Sequence, residues 1–219
     1  MNLQISPVLT FYFDPISPFA WLASKEIKRL EATGLMIDTQ PILFAAVLNA
    51  HGNIGPAEIP AKRDYIFRDV MRLAAQRGYA MQGPPSHPYN PLKALRMCSA
   101  LEDREERKYL AQALMNAAWE DGRDINDLAV LEDIANQSGL QAKTLLLQME
   151  TPMIKQRLIE ATARAVDVGV FGVPTFVLDG ELFWGCDRID SLLWRHAGNQ
   201  IDEAALQRCL QREASATRR

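Results

Sequence analysis

The chain is short of the residues that most metal and redox sites are made of. Its 219 residues include three cysteines and three histidines. Cys98, Cys186 and Cys209 stand far apart with no CxxC pair, and His51, His87 and His196 are equally scattered. That spacing excludes a zinc site built from sequence motifs and a disulfide scaffold. An odd cysteine count with no secretory leader is expected of a reducing, cytoplasmic setting. Charge of one sign is also lacking: 24 Lys+Arg oppose 27 Asp+Glu, for a net charge of −3. No basic stripe is left for a nucleic-acid partner. No run is apolar enough for a membrane span, and the N-terminus carries no basic segment before an apolar stretch. What remains is 48% hydrophobic and 23% charged residues, the composition of a globular protein with apolar surface enough for a core without staples.

Element order is read from periodicity and punctuation. Val8–Phe13 is apolar and aromatic, reads as a strand buried on both faces, and stops at Asp14-Pro15. Ser17-Pro18 opens a helix running from about residue 19 to 32, with Ala20, Ala23, Ile27 and Leu30 on one face and Gly34 at its end. Leu35–Phe44 reads as a second strand, which makes the opening β-α-β. After the Gly/Pro stretch 51–60, helices are expected over 62–76, 91–102, 105–120, 127–137, 142–149 and 152–168. Val173–Leu178 and Glu181–Trp184 flank Asp179-Gly180 and read as a hairpin. A last helix is expected from Asp187 to Arg195, then a polar tail over 213–219. The order fits an α/β fold in which residues 1–50 and 166–219 form one domain and residues 51–165 are a helical insertion.

Few of these residues carry chemistry on local evidence alone. Ser17 sits where a buried strand hands over to a helix, an edge of α/β sheets that collects ligands. Free amides and the positive helix end there favour an anion, although most serines in such a place are N-caps only. Pro174 starts an apolar strand, and a cis Val173-Pro174 bond would turn the valine peptide group toward a ligand. Trp184-Gly-Cys-Asp-Arg188 forms a turn into a helix. Its amides suit a carboxylate and Asp187 suits an ammonium group. Cys186 reads either as a reactive thiol or as a small buried filler. Asn53, Lys62 and Arg63 flank the Gly/Pro stretch, where a cation could meet a second carboxylate. Tyr89-Asn90 lies in the Pro-rich loop.

Taken in order, Phe11-Tyr-Phe-Asp-Pro-Ile-Ser-Pro-Phe-Ala-Trp-Leu22, Gly52-Asn-Ile-Gly-Pro56, Val170-Phe-Gly-Val-Pro-Thr-Phe176 and Phe183-Trp-Gly-Cys-Asp-Arg188 resemble the 2-hydroxychromene-2-carboxylate isomerase family. That family is related to kappa-class glutathione transferases and to the DsbA-like branch of thioredoxin folds. The resemblance spans residues 8–198 and implies a thioredoxin-like domain interrupted by a large all-helical insertion. It also implies bound glutathione as the working thiol, a small aromatic substrate, and a homodimer. Ser17 would hydrogen-bond the glutathione sulfur, where disulfide-exchanging relatives carry their first cysteine. Val173, before a cis Pro174, would pair with the cysteinyl part. Cys186 and Asp187 would hold the γ-glutamyl end, with Asn53 and Lys62 toward the glycyl end. Tyr89 and Asn90 are expected to line the acceptor pocket.

Two departures bear on the substrate. Ala45–Ala50 is neutral where family isomerases tend to offer a basic residue, and Cys186 stands where an amide or hydroxyl side chain is more usual. Ser17-Pro-Phe-Ala20 lacks the paired cysteines that disulfide exchange requires. A glutathione transferase or peroxidase, and a non-catalytic interaction protein on the same scaffold, are the other readings of these motifs.

Overall fold

The computed structural model describes residues 7–213. The opening residues, and the part of the expected tail from 214 to 219, lie outside that range. Four strands form one sheet in the order β2-β1-β3-β4. β1 (Val8–Phe13) runs parallel to β2 (Met36–Pro41) and antiparallel to β3 (Thr175–Leu178), which forms a hairpin with β4 (Glu181–Trp184). Asp179 and Gly180 turn that hairpin at φ 50° and 83°, the left-handed pair such a turn requires.

β1 departs from the both-faces-buried expectation. Leu9, Phe11 and Phe13 are fully buried, whereas Thr10 and Tyr12 on the other face are half-buried. The buried face meets the larger core, where Phe11 stacks on Phe176 at 4.7 Å between ring centroids. Tyr12 instead borders a small cluster of Ile42, Val47, Ala165, Val170 and Val173 on the opposite face.

The expected first helix is two. α1 (Pro18–Ser24) gives way at Lys25-Glu26 to α2 (Ile27–Glu31). Ser24 donates its hydroxyl to the Trp21 carbonyl at 2.7 Å, a local bond that competes with helix continuation. The second strand ends at Pro41, three residues short of the Phe44 expected, and Phe44 instead opens a helix, α3 (Phe44–Ala50), that is not among the expected elements. Pro41 has no N–H to extend a ladder, and the Ala-rich run after it favours a helix. β2 is an edge strand whose outer side is covered. Arg107 donates to the Thr39 carbonyl at 2.7 Å and to Asp38 at 2.8 Å, which blunts an edge that would otherwise invite pairing.

A 3-10 turn (Pro56–Glu58) leads into α4 (Pro60–Gln76). The helices α5 (Leu92–Ala100), α6 (Arg104–Trp119), α7 (Leu128–Gln137), α8 (Ala142–Gln148) and α9 (Pro152–Asp167) follow the expected pattern within two residues at each end. Asp103, Asp127 and Thr151 cap α6, α7 and α9 with side-chain oxygens. The larger core runs without a break from Leu9 through Leu110, Trp119 and Leu131 to Leu192. The boundary read at 165/166 falls inside α9, which covers the second sheet face. α10 (Ile189–His196) starts two residues later than expected, and α11 (Glu203–Leu210), capped by Asp202, has no counterpart among the expected helices. No helix among the described residues is long and apolar enough to cross a membrane.

Candidate functional site

Ser17 is the N-cap of α1, at φ −91° and ψ 117°. Its hydroxyl oxygen accepts from Ala20 N at 3.3 Å, and the hydroxyl donates to the Val173 carbonyl at 3.4 Å. The bond that uses the Ser17 proton, to Val173 O, is long, so the proton is weakly held and can be given to a better acceptor. Ser17 is therefore a cap and also a donor beside the Val173-Pro174 bond, which is cis. Across the sheet, Gly185 N donates to Pro174 O at 2.9 Å and brings the 185–188 turn to the same end. The structure thus ties Ser17 to Val173-Pro174, and Pro174 to the turn that carries Cys186 and Asp187.

Two glycines make this packing possible. A Cβ on Gly172 would lie 2.5 Å from Trp184 Nε1, so only glycine lets the indole lie over the loop before Val173. Gly185 has φ +109°, and a Cβ there would meet Asp187 Oδ1 at 2.5 Å. Val173 precedes β3 and takes no part in its ladder. Its N–H and that of Asp187 have no partner among the described residues, and the Cys186 N–H turns only to its own sulfur. Unpaired peptide donors beside a weakly held hydroxyl suit a peptide-like ligand carrying an anion.

The loop in front of Ser17 is wrapped by the helical part. Tyr89 Oη and Trp119 Nε1 both donate to Pro15 O, at 2.6 and 2.8 Å, and His87 Nε2 donates to Ile16 O at 3.0 Å. His87 packs edge-on against Phe67 and Trp119. Burial holds its imidazole below the ordinary value, the Ile16 bond opposes that, and Arg63 adds to it. Asp14 is fully buried. Its Oδ1 accepts from Ile16 N and its Oδ2 from Phe44 N, each at 3.0 Å. Burial pushes the carboxyl up to about 7 against the pull of those two N–H groups. Asp14, His87 and Trp119 are not among the site residues expected from sequence. Their sequence neighbourhoods hold only a strand stop, a Pro-rich loop and a helix end.

Other expected residues fall differently. Tyr89 is buried, and its hydroxyl is committed to Pro15, so it braces the Ser17 loop instead of lining an acceptor pocket. Burial, with the Asp14 charge, pushes its phenol well above the ordinary value. Asn90 is exposed and accepts from Leu92 N at 3.1 Å, a local turn that starts α5. Asn53 and Lys62 are exposed; the Asn53 backbone N–H is held by Leu48 O at 2.9 Å, and neither side chain is hydrogen-bonded or ion-paired among the described residues. His51 Nε2 donates to Val170 O at 3.0 Å and ties the stretch carrying Asn53 to the loop before Val173. Arg63 approaches His87 O at 3.5 Å, which sets the first turn of α4 near the Ser17 loop. Asp187 does not cap α10. It is exposed and pairs with its neighbour Arg188 at 3.2 Å. Hollows of about 410 Å³ at the β2 edge and about 420 Å³ between α3, α5 and α9 include no member of the Ser17 cluster in their walls.

The thiols divide sharply. Burial pushes Cys98 up to about 12 and Cys186 up to about 11, so Cys186 is a buried filler and not a reagent. Cys209 is exposed on α11. A disulfide-exchange reagent applied to the native protein at pH 7.5 is expected to count one fast thiol, lost in Cys209→Ser. Two fast thiols in the native protein would contradict this assignment. Among the described residues no three His, Cys, Asp or Glu side chains are grouped to hold a metal ion.

Known proteins share this fold. Residues 8–195 match the model of the DSBA-like thioredoxin domain. The chain is 32% identical over 195 residues to a 2-hydroxychromene-2-carboxylate isomerase of Sphingobium xenophagum, covering 86% of this chain and 97% of that one. It is 28% identical over 202 residues to glutathione S-transferase kappa 1 of Rattus norvegicus, covering 85% and 89%. A solved 2-hydroxychromene-2-carboxylate isomerase structure superposes with a TM-score of 0.79 at 26% identity, covering 93% of this chain and 96% of that one. A thioredoxin-like sheet with a serine at the head of α1 and a cis proline before β3 is thus the frame of this chain, which belongs to the DSBA-like thioredoxin family, in the group of the 2-hydroxychromene-2-carboxylate isomerases and kappa-class glutathione transferases.

Proposed function

We propose that the protein is a glutathione-dependent isomerase acting on substrates of the 2-hydroxychromene-2-carboxylate and trans-o-hydroxybenzylidenepyruvate type. The observation that carries this reading is the Ser17 hydroxyl, weakly held 3.4 Å from the carbonyl of a Val173 whose own N–H has no partner among the described residues. A donor for sulfur and a backbone edge for a peptide meet there, in a chain related to isomerases of this name. When bound, glutathione supplies a thiolate that adds to a conjugated carbon and leaves again once the former double bond has rotated.

The chain's own residues bind and orient. Ser17 Oγ–H turns from Val173 O to the sulfur and favours its ionised form. Pro18 has no N–H, so Phe19 carries the first amide of α1 and adds its dipole to the same anion. The Val173 N–H and C=O pair with the cysteinyl backbone. The Cys186 and Asp187 amides take the γ-glutamyl carboxylate, and Asp187 takes its ammonium group. Releasing the exposed Arg188 partner costs little. The side chains of Asn53 and Lys62, without other partners among the described residues, take the glycyl carboxylate. Cys186 acts through its backbone only, since its thiol is buried.

A thiol count during turnover tests the reading. With a panel of benzylidenepyruvates, isomerisation is expected only when glutathione is added, with total thiol constant. Thiol consumed in step with substrate would replace this reading by a conjugating transferase. Turnover that ignores glutathione would overturn it.

A further inference from the structure

We propose that Asp14 is a positioning residue: its ionised carboxylate clasps the Ser17 loop to the first turn of α3, and the glutathione site is fully formed only while that clasp is closed. This rests on the glutathione reading above and names a control within the same site. Asp14 Oδ1 holds Ile16 N, one residue before Ser17, and Oδ2 holds Phe44 N at the start of α3. Leu43 gives α3 no side-chain cap, so the carboxylate fills that place from another element. α3 ends at His51, whose bond to Val170 leads to Asn53 on one side and Val173 on the other. One buried side chain therefore sets the sulfur end of the site against its glycyl end.

An ionised carboxylate accepts from both N–H groups, whereas a neutral acid presents a hydroxyl to one of them, donor against donor. One tie is then lost, and the loop is freed from α3. With the carboxyl near 7, the change falls within the working range of pH. α1 (Pro18–Ser24) and α3 (Phe44–Ala50) contain no titratable residue. The titratable group that feels the Asp14 charge is Tyr89, with Asp124 beside it; His87 and Arg63 hold the same loop through Ile16 O and His87 O, and His51 stands at the far end of α3 against Val170 O. Tyr89 stays neutral, and His87 is held below its ordinary value. The charge that opens and closes the clasp is Asp14's own, which is why the Asp14→Asn variant decides the matter.

The test uses S-methylglutathione, which keeps the tripeptide and has no thiol to titrate. Calorimetry from pH 5.5 to 8.5 is expected to show about tenfold weaker binding at pH 6 than at pH 8, the factor set by the fraction of closed clasp. Asp14→Asn is expected to bind weakly and without that pH dependence. Equal affinity at pH 6 and pH 8 in the wild type, or the same slope kept in Asp14→Asn, would overturn the clasp and leave the glutathione reading standing. Absence of binding at every pH would overturn both. If Asp14→Asn does not fold, the carboxyl ¹³C shift of Asp14 in the wild type decides. Its midpoint is expected to fall when S-methylglutathione binds, and an unmoved midpoint would overturn the proposal.

Discussion

Ser17→Ala is expected to keep the fold and lose most of the glutathione-dependent turnover, by roughly 100- to 1000-fold in kcat/KM, the range for deleting one donor to a reacting anion. The two halves of this expectation have separate causes. As a cap, the hydroxyl oxygen sits 3.3 Å from Ala20 N, so the structural loss belongs near the low end of the range of about 0.5–2 kcal/mol for N-cap removal. α1 keeps its other supports, because Pro18, Ala20, Trp21, Leu22 and Ala23 are all buried. As a donor, the hydroxyl has only a long bond to Val173 O to give up, and nothing else at the head of α1 replaces it. Circular dichroism and thermal melting check the first half, and kinetics at saturating glutathione check the second. Activity within threefold of wild type would return Ser17 to the role of a cap.

The stability of the ligand-free protein is expected to fall as pH rises through neutrality, because of Asp14. Its folded carboxyl is raised from 3.8 to about 7. The folded state therefore holds a proton that the unfolded chain has released. The stabilisation is fully present below the unfolded value and is lost as pH rises through the folded one, at about 1.4 kcal/mol per pH unit in between. From pH 5 to pH 8 the contribution integrates to roughly 2–3 kcal/mol. The amide introduced by Asp14→Asn cannot titrate, so the difference in unfolding free energy between wild type and this variant is expected to change by that amount over the same range. Denaturant titrations at several pH values read it directly, and a difference that stays flat would remove Asp14 as the titrating group. Ligand affinity should move the opposite way. The ionised carboxylate closes the clasp at the expense of the fold's own stability, a trade often met at functional sites.

Much of the fold was legible because its signals are local. Val8–Phe13, the Ser17-Pro18 start, the Gly34 stop and the Asp179-Gly180 turn act within a few residues, and each stands where it was expected. The elements that differ are those decided at a distance. Phe44–Ala50 carries an apolar run that suits strand or helix. Its start is fixed by Asp14, 30 residues earlier. α11 does have a local signal, Asp202 before Glu-Ala-Ala-Leu, which the expected element order leaves out. In the site, Ser17, Val173-Pro174 and Cys186-Asp187 are legible because they punctuate strands and helices. The side chains behind them leave no such trace. Tyr89, His87 and Trp119 reach Pro15 and Ile16 across 71 to 104 residues of chain. Asp14 itself looks like a strand stop beside a proline, and one of its two partners, Phe44, opens a helix absent from the expected order.

The central claim is that bound glutathione is the working thiol and that Ser17 ionises it. Thiolate absorbance near 240 nm, followed through a pH titration of the protein saturated with glutathione, reads that state directly. A free thiol ionises near ~8.5. The bound thiol is expected to ionise clearly below that value in the wild type and to return toward it in Ser17→Ala. A bound thiol that titrates as it does in free solution would contradict the account.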